Sequence, residues 1–280
     1  MRSSRPFAIV PVALAALAAL AACSEEKITS TNRPPLAGVR YIHAVNDTAR
    51  LDFRMVDQLE YSANTIAGQG GILFREGTEY FPVEAKARRI TVFSLADTLL
   101  TTVQQAVHDT TITFEANKNY TLLFTGSARA NTDRFMVIEE APPATVAATQ
   151  VAVRVFNASP APVSAYLVAT ATTAISGAPA IATVGAMSAS QYVARDTGNI
   201  AIRVTAAGST TALASLAAAR GTLGTAAINP VAGSAVPGTV FSAYVFPASV
   251  AGSRAPQTAA FLTTGVQLFV DRLPANTIAP

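Results

Sequence analysis

Few residues in this chain could do chemistry: 280 residues hold two histidines and one cysteine. His108 and Asp109 are the one adjacent histidine–carboxylate pair, an arrangement that metal sites and hydrolytic triads use. A triad also needs a nucleophile, and no serine stands in a G-x-S-x-G setting. The pair therefore reads as a polar turn ahead of the strand "TTITFE". His43, in "VRYIHA", falls on the same side of a strand as Val39, Tyr41 and Val45. It could act as a ligand or a base. A second stretch, "VRVFNASPAP", repeats this opening with Asn157 in the place of His43. Asparagine donates and accepts hydrogen bonds but is no base. His43 and Asn157 thus read as polar hydrogen-bonding residues at strand ends, with ligand binding as their functional alternative. No catalytic residue is assigned.

Acidic residues give no clearer site. Asp47, Asp52 and Asp57 are spaced by five, without the D-x-D-x-D-G spacing of a calcium loop. Asn46-Asp47 reads as an Asx-turn, with Ser159-Pro160 as its counterpart. Glu139 and Glu140 are strand neighbours that point to opposite faces, so they cannot flank one glycosidic bond. Both are expected to be solvated edge residues. Neither a metal-ligand set nor a dissociable cofactor is expected.

The lone Cys23 has a different meaning. Arg2 and Arg5 precede an apolar run from Phe7 to Leu20, too short to span a bilayer as a helix and the right length for a signal peptide. The run ends in Leu20, Ala21, Ala22 and Cys23, which resembles the bacterial lipobox. The resemblance implies that residues 1–22 are removed and that Cys23 carries a covalent lipid. Acyl chains contribute about 0.8 kcal/mol per buried CH₂, enough to anchor a folded domain. Ser24, rather than Asp, points to the outer membrane, with the protein facing the periplasm or the cell surface.

Residues 23–36 read as a lipidated tether closing in Pro34-Pro35. Two similar segments follow, 37–143 and 149–275. Val39-Arg40 matches Val153-Arg154. "EYFPVEAKARRITVF" lines up with "QYVARDTGNIAIRVT", and two later blocks agree in the same order. This is a tandem of domains, not a solenoid. Short β-branched and aromatic runs between turn signals predict an all-β fold of two antiparallel, immunoglobulin-like sandwiches. The alanine-rich "TALASLAAARG" allows a short helix instead of a strand.

The net charge of +3 falls to +1 without Arg2 and Arg5. No basic patch is interleaved with aromatics, so nucleic acid is excluded as a partner. Residues 37–143 hold ten basic and thirteen acidic side chains, and residues 144–280 hold six and two. The imbalance reads either as complementary faces or as drift on two solvated surfaces.

The tandem resembles the bacterial family known as domain of unknown function 4397. The carrying residues are "VRYIHA" and "VRVFNASPAP", then "YFPVEAKARRITVF", then "ANKNYTLLFTGS". The resemblance implies an exported or envelope β-sandwich with no established chemistry. Together these readings lead to a membrane-anchored envelope lipoprotein serving as a noncatalytic binding or structural module. Its expected partners are the membrane, through the lipid, and an envelope protein or polymer. The alternative is an envelope hydrolase with a site in a sandwich cleft.

Overall fold

The computed structural model describes residues 34–57, 66–94 and 106–278, with backbone alone for residues 66–70. The expected signal peptide, Cys23 and nearly all of the tether lie outside the described residues. From Pro35 onward the chain is one compact unit. It is all-β, and no described helix is long and apolar enough to cross a membrane.

The first copy contains β1 (Leu36–His43), β2 (Leu51–Met55), β3 (Ile66–Ile72), β4 (Phe81–Glu84), β5 (Ala87–Ser94), β6 (Ala106–Thr113), β7 (Asn119–Thr125) and β8 (Arg134–Glu140). They form two sheets, ordered β4-β1-β7-β8 and β3-β2-β5-β6. The second copy contains β9 (Gln150–Asn157), β10 (Val163–Val168), β11 (Ile181–Val184), β12 (Ser188–Ala189), β13 (Val193–Asp196), β14 (Ala201–Ala206), β15 (Ala212–Ala217), β16 (Val240–Phe246) and β17 (Gly265–Arg272). Its sheets are β12-β9-β16-β17, with β13 also on β9, and β11-β10-β14-β15.

Most pairs are antiparallel, as expected. One pair in each copy is parallel: β1 with β7, and β9 with β16. The expected possibility of a helix near Thr211 is not met. The segment forms β15, paired to β14, and its side chains alternate between half-buried and exposed. Ladder pairing and burial of Ala214 and Leu216 against the core override alanine's helix preference.

Three cores stack the four sheets. One fills the first sandwich, with Val39, Tyr41, Phe53, Ile90 and Phe124 among its members. Another fills the second, with Val153, Val155, Ile202, Val204 and Ala243. The third lies between the copies and gathers Ile42, Leu123, Phe156, Tyr244 and Phe246. Alternate residues of β1 and β9 therefore face different cores. Both strands are covered on both faces, which is why "VAVRVF" is apolar almost throughout.

Candidate functional site

The strongest concentration of charge lies inside the seam between the copies. Arg40 on β1 and Arg154 on β9 are buried there with Glu140 and Asp271. Within the first copy, Arg40 Nε donates to Thr121 Oγ1 at 2.7 Å, and that hydroxyl donates to Glu140 Oε1 at 2.5 Å. The second copy repeats the relay. Arg154 Nε donates to Ser242 Oγ at 2.6 Å, which donates to Asp271 Oδ2 at 2.5 Å. Each arginine then reaches across the seam. Arg40 Nη2 pairs with Asp271 Oδ1 at 2.7 Å, and Arg154 Nη2 pairs with Glu140 Oε2. The guanidiniums also stack, Arg40 on Tyr80 at 4.6 Å and Arg154 on Tyr192 at 4.8 Å.

Two cations and two anions balance, and every carboxylate oxygen has a donor. Burial alone pulls the Arg40 guanidinium toward neutrality. Tyr244, Tyr80, Asp271 and Glu140 outweigh that pull and hold its pKa above the ordinary arginine value. Burial likewise opposes the charge on Arg154, while Glu140, Asp271, Tyr192 and Tyr244 raise its pKa overall. A buried cluster so fully paired adds little net stability over apolar packing, yet losing one member strands a buried charge. The charge imbalance between the copies plays no part in it, because each copy supplies one cation and one anion.

Toward the far ends of β1 and β9 the two copies part company. Arg75 N donates to His43 O at 2.8 Å, and Met187 N donates to Asn157 O at 2.7 Å, so the two residues hold corresponding places. Both have left-handed backbone, φ 73° and 51°. The Arg75 guanidinium enters the connection between β16 and β17. It donates to Pro247 O at 2.7 Å, Ala260 O at 3.0 Å, Phe261 O at 3.1 Å and also to Thr263 O. Among the described residues no carboxylate pairs with it, and burial lowers its pKa to about 10. At the corresponding place in the other copy, Met187 lines a depression of about 300 Å³ with Asn46, Gly126, Arg134, Ser159 and Pro247.

The residues singled out from the sequence fall into structural roles. His43 and Asn157 are wholly buried. His43 Nδ1 accepts from Val45 N at 3.2 Å, and Nε2 faces Ala49 O at 3.3 Å. Asn157 Oδ1 accepts from Ser159 N at 3.0 Å, and Nδ2 donates to Ala161 O at 2.8 Å. Each side chain bonds the backbone two residues on and then a carbonyl further along. Burial lowers the His43 pKa to about 4, against weaker upward pulls from the Ala49 carbonyl and Asp47, so the ring is neutral. Neither residue lines the inter-copy depression.

Residues 37–166 match the model of the family described as Domain of unknown function (DUF4397). That segment belongs to this family. No curated protein matches the chain. The DUF4397 match covers the whole first copy and runs through β9 into β10. It therefore includes Arg40, Glu140 and Arg154 of the seam cluster, while Asp271 lies beyond it.

Within the DUF4397 segment, three local expectations change. His108 and Asp109 do not form a turn but sit in β6 and part to different partners. Asp109 pairs with Arg89, and His108 Nδ1 lies 3.7 Å from Asp133 Oδ2. The Asp47 carboxylate makes no Asx-turn. It accepts from Ser127 Oγ at 2.6 Å, Ala128 N at 3.0 Å and Arg129 N at 3.1 Å, tying down the β7–β8 loop. Glu139 is exposed beside Lys118, but Glu140 is buried in the seam, not solvated. The two do point to opposite faces; the second copy covers the face that carries Glu140.

Asp52 pairs with Arg54 and Asp57 with Arg88, so these acids do not converge. Among the described residues, no group of three or more His, Cys, Asp or Glu is placed to hold a metal. The cluster missed in the sequence did leave a signal there. The same arginine stands in both otherwise apolar opening strands, which is costly unless a partner is buried with it. Asp271 was better hidden. The β16–β17 register shifts between Val240 and Phe241, so Arg272 pairs with Val240, Val270 with Phe241, and Asp271 falls between. Alternation from Phe269, which packs in the inter-copy core, turns Asp271 to the seam as alternation from Ile138 turns Glu140. The bulge shifts the residues after it, so matching the two final strands end to end sets Asp271 one position out of line with Glu140.

Proposed function

We propose that this chain is an envelope lipoprotein held to a membrane by a lipid on Cys23, with the duplicated sandwich serving as a noncatalytic binding or structural module. The observation that carries the noncatalytic reading is the use of the chain's buried ionisable groups. Arg40, Glu140, Arg154, Asp271 and His43 are consumed in holding strands and copies together. The inter-copy depression beside Met187 and Arg134 is the place for a ligand from an envelope polymer or protein. It offers apolar walls with one exposed cation. Two linked copies also widen the surface available to such a partner. The lipobox-like Leu20-Ala21-Ala22-Cys23 and Ser24 support an outer-membrane location, facing the periplasm or the cell surface.

Membrane fractionation and protease shaving of intact cells test this reading. Cys23→Ser should release the protein from membranes. Unchanged processing and attachment in that variant would contradict the anchor. Cleavage of the folded part on intact cells assigns it to the surface, and cleavage only after opening the envelope assigns it to the periplasm. The hydrolase reading draws on one observation, the His108–Asp133 approach beside a depression that also includes Thr111 and Arg134. An activity lost in His108→Ala with unchanged folding would favour it.

A further inference from the structure

The four most exposed large apolar side chains among the described residues are Leu223 at 67%, Leu273 at 66%, Ile228 at 64% and Val231 at 59%. All four lie on two adjoining segments. Leu223, Ile228 and Val231 belong to the β15–β16 connection, which is closed by a bridge between Thr222 and Val231. Leu273 follows β17, and the chain after it is fastened onto that connection. Thr277 Oγ1 lies 2.7 Å from Thr225 O and 2.9 Å from Ile228 O. Asn229 Oδ1 accepts from Thr277 N at 3.2 Å and Ile278 N at 3.1 Å. Single exposed aliphatics are ordinary, but a grouped set on tied-down loops marks a contact surface.

The chain from the N-terminal side arrives at this same end. β1 begins at Leu36, itself 45% exposed. Gly38 pairs with Asn119, and Asn119 with Glu140. Three residues on, Pro143 O accepts from Arg272, the neighbour of Leu273. The far end is the one that holds Asn46, Arg75 and Met187. Ten residues lie between Cys23 and Pro34, and the eleven Cα–Cα steps reach at most about 40 Å when extended. The charges on this side of the second copy also suit an anionic surface. Arg195 and Arg220 are exposed there, with Asp196 as the one exposed acid of that copy, since Asp271 is buried.

We propose that this end rests on the membrane that carries the Cys23 lipid, with Leu223, Ile228, Val231 and Leu273 set into the boundary between headgroups and acyl chains. The inference rests on the lipid-anchor reading above. Shallow burial of a few aliphatics binds weakly by itself. The anchor makes that contact intramolecular and so keeps it populated. The depression beside Met187 then faces away from the membrane.

The chain contains no Trp and one Cys, which makes the test clean. Leu223→Trp and Leu273→Trp each place a single reporter at the proposed contact. Val250→Trp places one at the far end, where Val250 is 39% exposed and its N–H donates to Asn46 O. The chain from Cys23 onward contains the whole compact unit. It is coupled through Cys23 to maleimide-bearing lipid in phosphatidylethanolamine–phosphatidylglycerol vesicles that include a lipid brominated high on its acyl chains. The Leu223→Trp and Leu273→Trp reporters should be quenched several-fold more than the Val250→Trp reporter. Adding Ile228→Asp and Val231→Asp to the Leu273→Trp chain should abolish that quenching. Equal quenching at the two ends, or quenching indifferent to the two Asp substitutions, overturns the orientation. Because the coupling is chemical, that result leaves lipidation in cells untouched, whereas the Cys23→Ser fractionation tests the anchor alone.

Discussion

Arg75 and Met187 stand at corresponding places in the two copies, with matching backbone and matching hydrogen bonds, yet one is enclosed and the other open. The difference comes from the loops that face them. The connection from β16 to β17 runs from 247 to 264 and wraps the Arg75 guanidinium in four carbonyls. The connection from β7 to β8 runs only from 126 to 133 and leaves a depression beside Met187. At the seam the opposite holds. Arg40, Thr121, Glu140 and Tyr80 are repeated as Arg154, Ser242, Asp271 and Tyr192. Duplication kept symmetry where both copies must satisfy the same buried charges, and lost it where only loops decide.

The seam should give the largest effects. Glu140→Ala leaves two arginines short of a partner, and the expected loss is about 3–5 kcal/mol, read from urea unfolding. Asp271→Ala should fall in the same range. A large inequality between the two would break the symmetry drawn for the cluster.

Acid should separate His43 from its counterpart Asn157. Native His43 stays neutral down to about pH 4, whereas an unfolded histidine takes a proton below about 6.5. Between those values the unfolded state binds more protons, so stability falls as pH falls. Over that window the loss from this one residue is on the order of 3 kcal/mol. His43→Asn should flatten the acid limb of a stability–pH curve by that amount, and an unchanged limb would refute the assignment.

Arg75→Met would make the closed end resemble the open one. The expected loss is about 2 kcal/mol, with faster hydrogen exchange confined to residues 247–263. Exchange that also rises across β9 and β16 would mean that Arg75 holds more than its loop. Arg89→Ala is the smallest case. Its pairing with Asp109 is exposed to solvent, and the unfolding midpoint should not move.

Much of the fold was legible in the sequence. Alternation in "VAVRVF", the turn signals and four repeated blocks led to duplicated β-sandwiches. The near-continuous apolar character of that strand also carried the news that both its faces are covered, but an isolated strand does not say by what. Glu140 shows the consequence. Strand geometry placed it opposite Glu139 correctly, and the unknown cover over that face turned a solvated residue into a buried one. His43 and Asn157 were read through their exchange for one another, because only a hydrogen-bonding role survives it. Asp271 was concealed by a bulge, which sequence spacing does not reveal. At Thr211–Gly221 local helix preference yielded to pairing with β14, a contact remote from any window of sequence.

Whether the seam makes the two sandwiches one cooperative unit is decided by hydrogen exchange followed through a urea titration of the full chain. Exchange in β2 and β5 reports the first copy, and exchange in β10 and β14 reports the second. A shared cluster and a shared apolar seam require both sets to lose protection at one midpoint, and to shift together in Glu140→Ala. Separate midpoints, or a Glu140→Ala shift confined to the first copy, would show two independent domains that merely touch.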